Sequence, residues 1–294
     1  MYINEQLKFG DMHTHTTFSD GKFTPAELVA HAAKQNISFL AITDHDSVAG
    51  IDEAIEAGFA AGIEIIPGIE LNTDMKDTEL HVLGYYFDYK NTEFVNKLNF
   101  FRNSRIERMK MMISKLVNET GRDITLEEVR QEANKMSETD GGSIGRPHLA
   151  RMMVKKRIVD DERSAFDRYI GNGKPCYVEV LSKLAPVDAI KFILDFGGVP
   201  VLAHPGFSNR DYMIPELVAA GLMGLEVFHS NHDNQMMARY EKMANDMGLL
   251  MTGGSDCHGP RGTIPAYCGN VKLPIYRLNE LKKRHLDLKN RHSQ

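Results

Sequence analysis

The sequence predicts an α/β barrel interrupted by a helical insertion. Three observations carry this expectation. Short apolar runs of strand length alternate with capped helical segments at both ends of the chain. A long, mainly helical stretch separates the two ends. Acidic and imidazole residues gather where the apolar runs stop. At 294 residues the chain is long for an ordinary domain but suits an α/β barrel of about 250 residues with an insertion.

LKFGDMH (7–13) reads as the first strand. Thr24-Pro25-Ala26-Glu27 then supplies a capping Thr, a Pro at the first helical position and a Glu three residues after the cap, so a helix runs to about Lys34. SFLAIT (38–43) has the length of a buried strand, and Ser47 opens a helix that Gly62 closes. IEIIPGIEL (63–71) and ELHVLGYY (79–86) are further strands. The alternation points to a parallel sheet with helices outside.

From Asn91 to Leu184 the pattern changes. A helix is expected from Phe94 to Val117, a second capping box at Thr125-Leu126-Glu127-Glu128, and helical segments near 145–156 and 160–170. CYVEV (176–180) is the first strand candidate after them. Met109, Met111 and Met112 read as core filling in an amphipathic helix. We expect residues 1–90 and 185–294 to form the barrel and 91–184 a helical cap. The alternation resumes with helix 186–196, strand VPVLAH (199–204), helix 215–220, strand GLEVFH (224–229), helix 233–247 and strand LLMTGG (249–254). The charged KKRHLDLKNRH reads as a solvated helix end or tail, and its His285 and His292 carry no functional weight.

Composition narrows the function. Hydrophobic content of 42% with 26% charged residues excludes disorder. A net charge of −5 argues against wholesale coating of nucleic acid, though a local basic groove fits. No apolar run approaches the ~20 residues of a membrane span, and MYINEQLKFGD lacks a signal-peptide core. Cys176, Cys257 and Cys268 are widely spaced without a CxxC pair, so no disulfide framework is expected. A cytoplasmic protein without membrane contact or obligate protein partner is the expectation.

Most of the chemistry-bearing residues fall at strand ends. His13 and His15 stand two apart where the first strand runs out, so an extended chain turns both to one face. Asp20 follows in a loop, Thr43-Asp44-His45-Asp46 ends the second strand, Glu70 lies near the end of the third and His81 is in the next. His204 ends VPVLAH, and Asp256 and His258 follow LLMTGG with the same two-residue spacing. A single strand-end His is ordinarily a satisfied structural residue, as His31 within its helix is expected to be. The whole set is different, because grouping so many ionisable side chains is costly without cations. His with Asp and Glu suits zinc, manganese or iron. Alternation turns Cys257 to the opposite face, so it reads as structural. Nine donors suffice for two or three metals if one carboxylate bridges, and such sites serve hydrolysis, especially of phosphate esters.

The motifs Asp11-Met12-His13-Thr14-His15-Thr16 with Ser19-Asp20-Gly21, Ile42-Thr43-Asp44-His45-Asp46, Pro67-Gly68-Ile69-Glu70, His204-Pro205-Gly206 and Gly254-Ser255-Asp256-Cys257-His258 together resemble the polymerase-and-histidinol-phosphatase (PHP) superfamily. The spacing is most similar to its stand-alone phosphoesterases, among them 3′,5′-nucleotide bisphosphate phosphatases and 5′→3′ exoribonucleases. The likeness covers nearly the whole chain, including Gly145-Arg146-Pro147-His148. It implies a distorted seven-stranded barrel of the TIM type with up to three metals at its mouth. By this resemblance His13, His15, Glu70 and Asp256 hold the first metal. Glu70 bridges to a second held by His81 and His204, and Asp20, His45 and His258 hold the third. Manganese is the usual metal, with zinc or iron as alternatives. Asp44 is expected to orient an imidazole from behind.

For substrate contacts, Arg146 and His148 could lower a fork donor onto phosphate, or Arg146 could be an ordinary helix-start Arg. Lys174 lies in a loop that either touches phosphate or simply turns. His229 and His232 either meet the substrate, one supplying the proton for the leaving oxygen, or are exposed loop residues. The expected function is hydrolysis of phosphate monoesters of small nucleotides by metal-activated hydroxide, foremost the 3′-phosphate of nucleoside 3′,5′-bisphosphates. Histidinol phosphatase and 5′→3′ exoribonuclease activity on short oligonucleotides are alternatives, and a non-catalytic metal-bound module is the alternative from another class.

Overall fold

The computed structural model describes residues 8–74, 79–134, 144–179, 184–208, 210–260 and 266–292. Strands β1 (Phe9–Asp11), β2 (Phe39–Ile42), β3 (Glu64–Asp74), β4 (Glu79–Tyr85), β5 (Val199–Leu202), β6 (Gly224–His229), β7 (Leu250–Gly254) and β8 (Leu273–Pro274) form one sheet. Their order is β7-β6-β5-β4-β3-β2-β1-β8. The sheet curls until its ends nearly meet, and the Met12 N–H donates to Gly253 O at 3.2 Å across the seam. Helices α1 (Pro25–Lys34), α2 (Ile51–Ala61), α7 (Pro186–Asp195), α8 (Ile214–Ala219), α9 (Asn234–Met247) and α10 (Ile275–His292) surround it. Between β4 and β5 lie α3 (Thr92–Thr120), α4 (Leu126–Asn134), α5 (Arg146–Lys155) and α6 (Glu162–Ala165).

The expected α/β barrel is therefore present, with a mixed rather than wholly parallel sheet. β4 runs antiparallel to both β3 and β5. The cause is chain length: four residues separate β3 from β4, whereas a parallel return needs a crossover of a dozen or more. The reversal matters for the site. Because β4 is inverted, His81 near its beginning stands opposite Asn72 near the end of β3. A two-residue β8 joins β1 as an eighth, antiparallel strand.

Alternate strand residues divide the core in two, as the pleat requires. Phe39, Ala41, Leu83, Tyr85, Val199 and Val201 fill the barrel. Leu40 and Ile42 face α1 and α2, while Val82 and Leu202 face α7. The insertion has a core of its own, built from residues including Met109, Met112, Leu116, Leu149, Met153 and Cys176. α3 serves both bodies, since its Phe94 and Leu98 pack with the barrel's outer layer.

Two local expectations change and one narrows. Ser47 does not open α2; its Oγ accepts from Ala49 N–H at 3.4 Å inside a turn, and α2 starts after Gly50. The strand expected at 176–180 is absent over its described residues 176–179. Donors from α3 take its carbonyls instead: Arg108 Nε bonds Val178 O at 2.8 Å and Lys115 Nζ bonds Tyr177 O at 2.9 Å. The C-terminal segment is the largely exposed end of α10 rather than a tail, but Leu288 within it is buried. Leu278, Leu281 and Leu288 of α10 share one helical face and are buried against the barrel floor. Leu281→Ala should therefore cost about 2–5 kcal/mol, whereas Leu286→Ala, at a position 58% exposed, should stay within about 0.5 kcal/mol. Urea unfolding of both variants checks this, and equal midpoints would return α10 to a surface tail.

Candidate metal centre

The strand ends deliver their side chains to one mouth through tight backbone geometry. Thr14 is clamped between strands: its N–H donates to Thr43 Oγ1 at 3.0 Å and its Oγ1 donates to Ala41 O at 2.6 Å. His13 and His15, on either side, consequently turn the same way. A Cβ on Gly254 would lie 2.3 Å from His13 N, so only glycine lets β7 approach β1 here. Asp46, His204 and Asp256 have φ of 49°, 26° and 56°, a left-handed backbone unusual outside glycine. All three sit at the mouth, where such strain commonly marks a working site.

Glu70 is the hub. Its Oε2 lies 3.2 Å from His13 Nε2, 3.2 Å from His15 Nε2 and 3.0 Å from His45 Nδ1. Its Oε1 lies 2.8 Å from His81 Nδ1 and 3.0 Å from His204 Nε2. Asp256 Oδ1 is 3.0 Å from His15 Nε2 and 3.5 Å from His13 Nε2. Asp20 Oδ1 is 3.1 Å from His258 Nε2. All nine expected ligand residues are thus brought together. His13, His15, Glu70 and Asp256 form one compact group, and His15, Asp20, His45 and His258 another. His45 also groups with Glu70 and His81.

These residues fit divalent cations. His13 Nε2, His15 Nε2, His45 Nδ1, Asp20 Oδ1 and Glu70 Oε2 are buried without any hydrogen-bond partner. They approach one another yet are not aimed at one another. Metal–ligand bonds of about 2.1 Å place neighbouring donors about 3.0–3.4 Å apart, which is the spacing of the close contacts around Glu70 and Asp256.

Two carboxylates behind the centre escaped the sequence reading. Glu226 of β6 is fully buried. It meets His13 Nδ1 at 2.9 Å and accepts the His204 N–H at 2.8 Å, joining two imidazole-bearing strand ends. Its signal was a charge in the otherwise apolar GLEVF. Asp11 accepts from Ser255 N–H and Gly269 N–H, both at 2.8 Å, and so fastens the Asp256 loop to β1. Asp44 reaches an imidazole only through Ser19, whose Oγ lies 3.4 Å from His15 Nδ1. Rather than orienting an imidazole directly, it accepts from Thr16 N–H at 2.7 Å and Ser19 Oγ at 2.5 Å, holding the loop between His15 and Asp20.

The insertion closes one side of the mouth. A cavity of about 200 Å³ lies between Asp20, His45 and His81 of the barrel and Arg105, Arg108, Arg146 and His148 of the insertion. Arg105 pairs with Asp46 and donates to Asn72 O at 2.8 Å, tying α3 to the His45 loop. Arg146 is braced by Asn172 Oδ1 at 2.9 Å and by the face of Phe166. Burial, with Arg151 adding, brings His148 down to about 4. It is neutral at pH 7, and its Nδ1 accepts from Gly145 N–H at 3.0 Å, which leaves its proton on Nε2. A second cavity of about 520 Å³ adjoins, lined by Arg146, Phe166, Asn172, His81, His204 and Phe207 among others. Lys174 is exposed on the turn after Asn172, beside these cavities rather than in their walls. His232 does not reach the mouth as a substrate contact. Its Nδ1 donates to Val227 O at 2.9 Å and its Nε2 accepts from Gly206 N–H at 3.3 Å, so it braces the loop after His204. His229 does face inward: Nδ1 accepts from Asn231 N–H at 3.2 Å, and Nε2 points to Asp256 Oδ2 at 3.7 Å.

The PHP domain family matches residues 11–180, from the first strand through the insertion. The chain belongs to this family. A 5′-3′ exoribonuclease of Haemophilus influenzae is 32% identical over 86% of this chain and 91% of its own length. A 3′,5′-nucleoside bisphosphate phosphatase of Chromobacterium violaceum is 31% identical over 85% of this chain and 87% of its own. A structure from Bifidobacterium adolescentis, provisionally described as a metal-dependent phosphoesterase, superposes with a TM-score of 0.79 at 31% identity, covering 96% of this chain and 98% of that one. The protein is a metal-dependent PHP phosphoesterase. His204, Asp256 and His258 lie beyond the matched residues and join the centre through the fold.

Buried carboxylates of the PHP centre hold protons on its innermost imidazoles. Burial opposes a proton on His13, but Glu226, Glu70 and Asp256 outweigh it and hold the imidazole well above its ordinary value. Burial likewise disfavours a charged His15, and Asp256 and Glu70 still push it up to about 10. Ligation of a cation by these two imidazoles would need both neutral and so would expel protons held at pH 7. Affinity for a divalent cation should therefore fall by about 10- to 100-fold per unit as pH drops, one decade for each proton released. Calorimetric titration in buffers of different ionisation enthalpy measures this directly; a buffer-independent heat would refute the charged state of His13 and His15.

Proposed function

We propose that the chain removes the 3′-phosphate of nucleoside 3′,5′-bisphosphates with two or three divalent cations, manganese foremost and zinc or iron as alternatives. His13, His15, Glu70 and Asp256 hold the first, with Glu70 bridging to a second held by His81 and His204. Asp20, His45 and His258 hold the third. The carrying observation is the group of buried, unpartnered atoms gathered at Glu70 Oε2, while Oε1 meets a second pair of imidazoles, His81 and His204, at hydrogen-bonding distance. The substrate class is supported by likeness to the Chromobacterium violaceum phosphatase.

Bound cations supply Lewis acidity, neutralising phosphate oxygens and acidifying a water for attack on phosphorus. The chain's own groups do the rest. His229 carries its proton on Nε2, facing the centre, where it can donate to the departing oxygen. Arg146 and His148 take the distal phosphate, one as a charged fork and one as a neutral N–H donor, and Lys174 adds positive charge at the rim. Glu226 keeps His13 in the orientation and tautomer ligation needs. Trimming of short oligoribonucleotides from the 5′ end is the second reading, favoured by likeness to the Haemophilus influenzae enzyme. A screen of the manganese-loaded protein against nucleoside bisphosphates, mononucleotides, short oligoribonucleotides and histidinol phosphate decides between them. Highest kcat/KM on a nucleoside 3′,5′-bisphosphate is the expected result; a preference for histidinol phosphate would overturn it.

The bridge makes a further prediction. Glu70→Gln should deplete two cations and resist rescue by added manganese. Asp20→Asn should lose chiefly one, and excess manganese should refill it by mass action. Metal counts per chain after purification test this, and equal losses would move the bridge to another carboxylate.

A further inference from the structure

We propose that Phe207 is the platform on which the substrate's base stacks, and so the residue that selects nucleosides over other phosphate esters. This rests on the phosphoesterase reading above but adds a determinant outside the metal centre. A lone exposed aromatic is commonplace; the placement of this one is not. Phe207 is 53% exposed although it immediately follows the His204 turn at the heart of the site. Its ring meets the imidazole of His204 at 5.0 Å, tilted by 40°, and that of His229 at 5.2 Å, nearly perpendicular.

Phe207 also lines the second cavity, of about 520 Å³, where Phe166 and Asn172 of the insertion stand among the other walls. That space suits a small ligand. The platform is held in place before a ligand arrives. Phe207 N–H donates to His204 O at 3.0 Å, and Ser208 Oγ donates to Pro205 O at 3.0 Å. His232 fixes the loop through Gly206 N–H, where even a Cβ would meet its ring at 2.8 Å. Arg146 belongs to both cavities. The cationic chamber therefore matches a second phosphate, and the aromatic chamber beside it matches a flat ring joined to the same sugar.

Stacking of a base on an aromatic side chain is worth about 5- to 150-fold in binding. The test compares adenosine 3′,5′-bisphosphate with its abasic tetrahydrofuran counterpart. The ratio of their kcat/KM values should collapse by about 5- to 150-fold in Phe207→Ala and persist in Phe207→Tyr. An unchanged ratio in Phe207→Ala overturns the platform. So do equal losses on both substrates, which would mean that Phe207 only packs against His204. A second readout needs no turnover. The chain contains no tryptophan, so Phe207→Trp introduces a single indole, whose emission adenosine 5′-phosphate should quench and ribose 5-phosphate should not. Quenching by both or by neither refutes stacking. If the wild type hydrolyses neither bisphosphate, the phosphatase reading fails, and the fluorescence result still decides the platform.

Discussion

One buried carboxylate organises this molecule. Glu70 is fully enclosed, and five imidazoles surround its two oxygens at 2.8–3.2 Å. An isolated carboxylate in such a place would cost several kcal/mol, so the surrounding strands must bring charge to it. Burial works against its ionisation, but His45, His13 and His81 outweigh that and hold it well below the ordinary carboxylate range. The barrel's irregularities serve this demand. β4 reverses, so His81 reaches the mouth, and the chain turns left-handed at Asp46, His204 and Asp256. β7 gives up a side chain at Gly254 to lie against His13.

Behind Glu70 stands a ring of acceptors fastened to backbone. Glu226 holds the His204 N–H, Asp11 holds Ser255 and Gly269, and Asp44 holds Thr16. Each joins segments distant in sequence, so hydrogen bonds of the folded barrel hold the loops of the centre in place. Preorganisation of this kind lets binding free energy go into holding the ion instead of ordering the chain.

Much of this was legible in the sequence because strand-end placement and two-residue spacing are local features. His13-Thr14-His15 and Asp256-Cys257-His258 announce a shared face without any knowledge of the fold. Cys257 likewise packs into the core on the opposite side, as alternation requires. What stayed hidden was non-local. Glu226 lies inside an apolar strand with no companion motif, and only the barrel brings it to His13 from 213 residues away. Asp44 was recognised as a supporting residue, but its partners, Thr16 and Ser19, depend on how a loop folds back. CYVEV has strand composition yet forms no strand over its described residues, because side chains of α3 satisfy its carbonyls before another strand can. The apolar positions of α10 were visible at helical spacing, but the surrounding charge obscured them.

The insertion adds cationic side chains beside the barrel's donor set without sharing the barrel's core. Its core is separate from the barrel's, so its side chains can vary without disturbing the donor set. Its attachment is firm all the same, because α3 packs Phe94 into the barrel and clamps Asp46 and Asn72 through Arg105. Arg146, on the next body of the insertion, is already bonded to Asn172 and stacked on Phe166. A guanidinium held this way loses little freedom when an anion arrives, whereas a free surface Arg would surrender about 2 kcal/mol of rotamer entropy. The barrel therefore decides that phosphorus is attacked. On the function proposed above, the distance from the Glu70 hub to Arg146, already held by Asn172 and Phe166, would decide which molecules, by the spacing of their charges, can present phosphorus to the barrel.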